Sequence, residues 1–248
     1  MTLAASRRAS AYRPFVSTDA AVADVGEVEI ELGYAGFRES RNRFMIVAPT
    51  VVGNLGIASG LEVVGEFKLA NDLSPGEEDR TRFEDSAVSL KWVIRDGVLQ
   101  DRGTRPSLAL ELSAVLPTLR DEDRLGGELV GLLSGRARGW TYHLNAGALV
   151  EPAESEPGVT WGVIVEHALA GPLRAVAEVN GESVRRSPPD NSVLVGAVWG
   201  IERPTLLHEL SFDVGVRRGL GGAADDWAGT AGVTFAFPVW NRTEEKRP

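Results

Sequence analysis

The chain has 248 residues, no cysteine, a formal net charge of −9 and a pI near 5.0. Disulfides and thiolate metal sites are therefore excluded, and a nucleic-acid partner, which needs a basic face, is argued against. Mean hydropathy is −0.07 and no run of eighteen apolar residues occurs, which excludes helical membrane spans but not a membrane barrel, whose alternation averages hydropathy to near zero.

Residues 1–22 read as an irregular segment, with Pro14 against regular structure and no apolar run of signal-peptide length. The expectation is that a signal was removed or lies upstream, with a cytosolic protein as the plain alternative. Period-two alternation then begins. Val28, Ile30, Leu32 and Tyr34 oppose Glu27, Glu29, Glu31 and Gly33, a pattern that on a helix would scatter charge all round. Arg43–Val51 reads as a second strand and 53–60 as a turn region. Leu61, Val63, Gly65, Phe67 and Leu69 form one face of a third strand, with Glu62, Glu66 and Lys68 on the other.

After the polar loop Asn71–Glu84, Val88, Leu90, Trp92 and Ile94 alternate with Ser89 and Lys91. Leu108, Leu110 and Leu112 oppose Ala109, Glu111 and Ser113, and a charged loop, Arg120–Arg124, precedes a glycine-rich strand around Glu128–Arg136. Trp140, Tyr142, Leu144 and Ala146 have His143 and Asn145 behind them. Val159–Glu166 and Leu173–Glu182 follow, the latter with Arg174 and Glu178 on its polar side. Val193–Ile201 carries Trp199, and Phe212, Val214 and Val216 oppose Asp213 and Arg217. The closing strand sets Trp227, Val233, Phe235 and Phe237 against Ala228, Thr230, Gly232, Thr234 and Ala236. Residues 238–248 read as a charged tail.

The expected fold is all-β: a single antiparallel up-and-down transmembrane β-barrel of about 12 strands over residues 23–237. A soluble barrel would turn the apolar face inward and the charges outward. About eight strands suffice for that, and twelve would leave a wide apolar cavity. The apolar face also holds Leu, Val and Ala in mid-strand and aromatics near strand ends, as at a bilayer boundary. The lumen-lining set is thus expected to be Glu29, Glu31, Glu62, Glu66, Lys68, Lys91, Glu111, His143, Asn145, Glu166, Arg174, Glu178, Asp213 and Arg217. The expected lipid-facing aromatics are Tyr34, Phe67, Trp92, Trp140, Tyr142, Trp199, Phe212, Trp227, Phe235 and Phe237.

Four segments carry a family resemblance: RPFVSTDAAVADVGEVEIELGY (13–34), PSLALELSAVLPT (106–118), GWTYHLNAGALV (139–150) and FDVGVRRGLGGAADDWAGTAGVTFAF (212–237). Through them the chain resembles the bacterial outer-membrane β-barrel family labelled for the MetA-pathway of phenol degradation. The resemblance implies an outer-membrane transporter or porin-like protein with a part in taking up aromatic or other hydrophobic compounds. The chain departs from the family pattern in its missing signal peptide and in the tail beyond Phe237.

The histidines and loop acids form no catalytic or metal motif. His143 has the amide Asn145 two positions on, where a same-face hydroxyl nucleophile would sit, and no GxSxG elbow occurs; His143 reads as a lumenal hydrogen-bonding residue. His167 and His208 have no carboxylate or His partner at ligand spacing. The acids Glu77, Glu78, Asp79, Glu84 and Asp85 lack an EF-hand pattern and read as solvated or lipopolysaccharide-proximal charges. No enzyme activity, metal or cofactor is expected. The expected function is passive uptake of small solutes, with the loops Asn71–Glu84 and Arg120–Arg124 as gates. The expected partners are outer-membrane lipid and lipopolysaccharide, the barrel-assembly machinery and a small-molecule solute. Two alternatives stand beside it: a non-conducting structural or surface-interaction barrel with a plugged lumen, and a soluble β-barrel carrier.

Overall fold

A computed structural model describes residues 13–40, 43–74, 81–117, 125–151, 156–201 and 207–240, with the side chain of residue 85 outside that description. Twelve antiparallel strands close into one barrel, each bonded to its sequence neighbours and the first to the last. They are β1 (Glu27–Ser40), β2 (Arg43–Ala58), β3 (Leu61–Asp72), β4 (Thr81–Arg95), β5 (Ser107–Val115), β6 (Gly126–Ala137), β7 (Trp140–Val150), β8 (Pro157–Ala170), β9 (Leu173–Val184), β10 (Asp190–Gly200), β11 (Glu209–Gly222) and β12 (Trp227–Pro238). Closure runs through β1 and β12, from Glu27 opposite Pro238 to Glu39 opposite Trp227. It removes the two edges that an open sheet would present.

The alternation read from the sequence is realised with the apolar side out. Val88, Leu90, Leu112, Leu129, Leu144, Val163, Val195 and Val214 are exposed, while Glu29, Glu62, Ser89, Lys91, His143 and Glu178 are buried. Leu90, Leu112 and Leu129 are cross-strand partners on β4, β5 and β6, so the apolar band is continuous around the wall. The soluble-carrier arrangement, with leucine inside and acid outside, is therefore not the one adopted.

Several register shifts interrupt the strand pairs, two of them in the far halves of β1 and β2. β1 gains a residue against β12 between Gly33 and Ala35, and β2 gains one against β3 between Val47 and Thr50. Tyr34 and Ala35 both lie exposed as a result, and beyond them Phe37 is exposed and Arg38 half-buried. A bulge re-aims the side chains that follow it, which is why the clean alternation of Glu27–Tyr34 does not continue in register. Residues 53–58, expected as a turn, continue β2. There Gly53 pairs with Ile30 and Leu55 with Val28. The turn is only Ser59-Gly60, with Gly60 at φ 72°, a conformation glycine adopts without steric cost. The loop expected over Asn71–Glu84 is shorter too, because Asn71 pairs with Thr81 and Lys68 with Glu84.

At the end where β1 begins and β12 finishes, here called the terminal end, Ser59-Gly60, Arg138-Gly139 and Gly171-Pro172 are tight links, but 96–106 and 201–208 are longer. Three of the five links at that end are thus two residues long. The 96–106 link carries a 3₁₀ turn at Val98–Gln100.

Leu112 is 59% exposed at mid-barrel. The variant Leu112→Arg is expected to lower unfolding free energy in lipid vesicles by about 2–4 kcal/mol, the cost of a cation at the bilayer midplane. A water-facing position would change by within about 0.5 kcal/mol, and denaturant titration of vesicle-folded protein separates the two.

Candidate functional site: the lumen and its N-terminal segment

Extended chain advances about 3.3 Å per residue, so the stretch from Arg13 to Gly26 is long enough to go once around the inside of a barrel this size. Its contacts follow such a path. Arg13 meets Thr50 on β2 and Thr230 on β12, and the N–H groups of Val16 and Ser17 donate to Glu178 on β9. Asn145 on β7 reads the backbone at Thr18 from both sides, accepting its N–H at 2.9 Å and donating to its carbonyl at 2.8 Å. The Ala20 N–H donates to Ser134 on β6 at 2.9 Å, and the Ala23 N–H to Glu62 on β3 at 2.7 Å. The chain then leaves through Gly26, which bonds to Gly56 of β2. Residues 13–22 form neither helix nor strand, and residues 1–12 of the segment expected to be irregular lie outside the described residues. The position of 13–22 in the bore is what the sequence did not indicate.

The wall is shaped for this occupant. A Cβ at Gly33 or Gly232 would overlap the Arg13 guanidinium, one at Gly162 would overlap Ser17, and one at Gly56 the Asp24 carbonyl. Ala20 and Val22 pack on Val93, Ala109, Val130 and Leu132, an apolar cluster on the inner face. Below it Gln100 of the 3₁₀ turn donates to the Ala20 carbonyl at 2.8 Å and accepts from Ser107 and from the Gly97 N–H. The clasp thus comes from the long 96–106 link, which a purely spacing-based reading treats as a connection.

Each residue expected to line the bore has a definite place. Glu29, Glu31, Glu62, Lys91, His143, Asn145, Glu166, Glu178 and Asp213 are buried, and Glu66, Lys68, Glu111, Arg174 and Arg217 are half-buried. They fall into separate clusters. Lys91 lies 3.4 Å from Asp19 and 3.6 Å from Glu62, with Glu111 opposite it on β5. Arg217 bridges Glu178, Asn180 and Ser192 across β9 and β10. Asn54 donates to both Glu29 and Glu31. Buried charges persist only when paired and hydrogen-bonded, and backbone N–H groups of the N-terminal segment supply part of that pairing.

His143, 1% exposed, sits in a chain of polar contacts. Its Nδ1 is 2.7 Å from Ser134 Oγ and its Nε2 3.0 Å from Glu166, which Arg174 holds at 2.7 Å. The hydroxyl absent two residues along its own strand arrives from the neighbouring one, at the register partner Ser134. Ser134 is fully buried beneath Ala20, whose N–H it accepts, so no substrate carbonyl reaches it in this arrangement. His208, for which no partner was expected, meets Glu27 across the β1–β12 seam. His167 stacks on Trp140 at 4.5 Å.

At the opposite end Arg38 is paired to Glu84 and lies 3.7 Å from Asp225 in the β11–β12 turn. Burial pushes the Asp225 carboxyl above its ordinary range, against the pull of Arg38. The gate loop expected at Arg120–Arg124, the acids Glu77, Glu78 and Asp79, and the side chain of Asp85 lie outside the described residues.

On the outer surface Tyr34, Phe67, Trp92, Trp140, Trp199, Phe212 and Trp227 are exposed, and Tyr142, Phe235 and Phe237 half-buried. Phe37, Phe44, Phe83 and Trp161 join them, and Trp240 follows β12. Along the strands these residues form two bands. Trp92, Trp140, Tyr142, Trp199, Phe212, Phe235, Phe237 and Trp240 lie toward the terminal end. Tyr34, Phe37, Phe44, Phe67, Phe83, Trp161 and Trp227 lie toward the other. Phe37 and Phe44 belong to the bulged upper parts of β1 and β2, where alternation had lost phase. Trp161 alternates cleanly with Val159 and Val163 and was legible.

No protein-family model matches the chain, and no curated protein matches its sequence. Solved structures do match its shape. An outer membrane channel from Pseudomonas putida F1 superposes with a TM-score of 0.60 at 9% identity, over 88% of this chain and 97% of that one. The NanC porin superposes with a TM-score of 0.56 at 9% identity, over 84% and 98%. At such identities the likeness is one of fold.

Because the chain has no cysteine, a pair introduced at Ser17 and Gly162 would be the only thiols. A Cβ at Gly162 would lie about 2.9 Å from that of Ser17, so the segment need move outward by only about 1 Å to reach disulfide separation. The variant S17C/G162C is expected to oxidise to an intramolecular bridge, read as a thiol-trapping shift on a gel. Free thiols after oxidation of folded protein would place the segment elsewhere.

Proposed function

We propose that the protein is a porin-like barrel of the bacterial outer membrane that lets small solutes pass passively, with its bore narrowed by its own N-terminal segment. The observation that carries this reading is the inversion of the barrel. The outer wall is an apolar band between two aromatic girdles, and paired acids and bases stand inside, the arrangement of a lipid-embedded barrel with a polar lumen. The terminal end faces the periplasm on this reading, and the lipopolysaccharide leaflet meets the girdle that contains Phe44 and Trp161. Membrane insertion would pass through the barrel-assembly machinery, with Val239 and Trp240 folded back onto Gly26. No residue is proposed to make or break bonds.

The inner wall favours polar solutes over the aromatic compounds that the resemblance to the phenol-degradation family implies. Its apolar cluster is covered by Ala20 and Val22, and beyond the buried Ile164, Val176, Leu194 and Val198 the wall is mainly carboxylate, hydroxyl, amide and cationic side chains. The small cavity of about 30 Å³ beside the segment is likewise lined by Asp19, Glu29, Glu31, Glu62 and Lys91. A second reading, a non-conducting barrel, is favoured by one observation, the hydrogen bonds that fix the segment in the lumen.

Conductance across planar bilayers decides between them: current from folded protein supports the channel, and a silent but folded barrel supports the plug. Glu66 is half-buried, 3.1 Å from Lys68 and clear of the segment's contacts. Glu66→Lys is expected to shift reversal potential toward chloride without altering stability. Unchanged selectivity would remove Glu66 from the conducting path.

A further inference from the structure

Among the described residues the fork of Arg13 is held by the barrel wall. Its Nη1 donates to Thr50 on β2 at 2.6 Å, its Nη2 donates to Thr230 on β12, and its Nε lies 3.4 Å from Asp213 Oδ2 on β11. Gly33 and Gly232 leave the flat gap in which the guanidinium lies, since a Cβ at either would overlap it. Glu31 accepts the Arg13 backbone N–H at 3.1 Å. The Asp213 side chain is 3% exposed, and its Oδ1 is buried with no hydrogen-bond partner among the described residues. The slot therefore has unused acceptor capacity pointing at a planar cation.

We propose that this slot is a guanidinium-binding site in the bore, filled here by Arg13 in cis, which takes guanidinium-bearing solutes when the N-terminal segment withdraws. The guanidinium is a planar, weakly hydrated fork with a fixed donor pattern; a threonine hydroxyl accepts from each terminal nitrogen, and the Asp213 carboxylate stands beside Nε as the counter-charge. An ammonium is a compact point charge and cannot reach Thr50, Thr230 and Asp213 together. Withdrawal of Arg13 leaves Asp213 buried and unpaired, which is costly, so a cation of the same shape is drawn into its place. Every part of the slot belongs to the barrel and faces the route a solute would take. The inference deepens the channel reading and rests on it for transport, but not for binding.

The test is chemical rescue of full-length Arg13→Ala in detergent micelles, with methylguanidinium as probe and methylammonium as control. Arg13→Ala is expected to unfold at a lower temperature than the parent protein. Methylguanidinium should restore it saturably, by about 3 °C at a tenfold excess over its dissociation constant, while methylammonium should not. Neither cation should move the parent protein, whose slot is full, nor the double variant Arg13→Ala/Asp213→Asn. Arg13→Lys, which keeps the charge and loses the fork, serves as the starting protein if the alanine variant does not fold, with the same expected rescue. Equal responses to both cations, or an unchanged response after Asp213→Asn, would overturn the site. Uptake of arginine amide into proteoliposomes is then compared between the parent and Asp213→Asn proteins. Rescue without uptake would leave the site standing and contradict the channel.

Discussion

A closed sheet in a bilayer satisfies every backbone hydrogen bond within itself, and that constraint fixes the rest. Lipid offers no partner for a stray N–H or carbonyl, so the sheet must seal, and here it seals through β1 and β12. Sealing with twelve strands encloses more room than inward side chains fill, in contrast to the eight-stranded case. The surplus volume is polar because the outward positions have taken the leucines and valines. A polar surplus must be occupied by water or by chain, and in this protein the stretch from Arg13 to Gly26 occupies much of it.

The lumenal charges follow from the same geometry. Glu178 takes one cation, Arg217, and two backbone N–H groups from Val16 and Ser17. Glu62 is shared between Lys91 and the Ala23 N–H. These acids are matched partly by the barrel and partly by the segment. The segment is thus held by directional bonds rather than by a large apolar interface. Its larger apolar anchor is Ala20 with Val22; before it, Pro14 lies against Gly215 and Leu194, and the remaining contacts are mainly polar. Such contacts exchange readily with water or solute, which makes the Arg13 end the part suited to leave.

Much of the fold was legible in the residues. Glu27–Tyr34, Val88–Ile94 and Leu108–Leu116 alternate without interruption, and period two leaves no other element. Boundaries failed where a bulge inserted a residue, as at Tyr34-Ala35 and Ala48-Pro49, and where strands ran on past polar residues, as at Asn71 and Thr81. The face of each charge also followed from alternation, so Lys91 and Glu62 could be placed on one wall from spacing. Three features could not. Ser134 and His143 meet through cross-strand register, which depends on the tight turn at Arg138-Gly139. Gln100 reaches Ala20 from a link with no periodic signal. The N-terminal segment carries the ordinary signature of irregular chain, and only the inward glycines of four different strands, Gly33, Gly162, Gly215 and Gly232, reveal that something must lie against them.

The central claim is that the aromatic bands face acyl chains near the two headgroup levels. Tryptophan fluorescence of the folded protein in vesicles of brominated lipids measures this directly. Bromines placed close to the carbonyl groups are expected to quench strongly and bromines at the chain ends weakly, since Trp92, Trp140, Trp161, Trp199 and Trp227 lie toward strand ends. Emission insensitive to bromine at any depth, from protein that stays folded in buffer without detergent, would contradict the account.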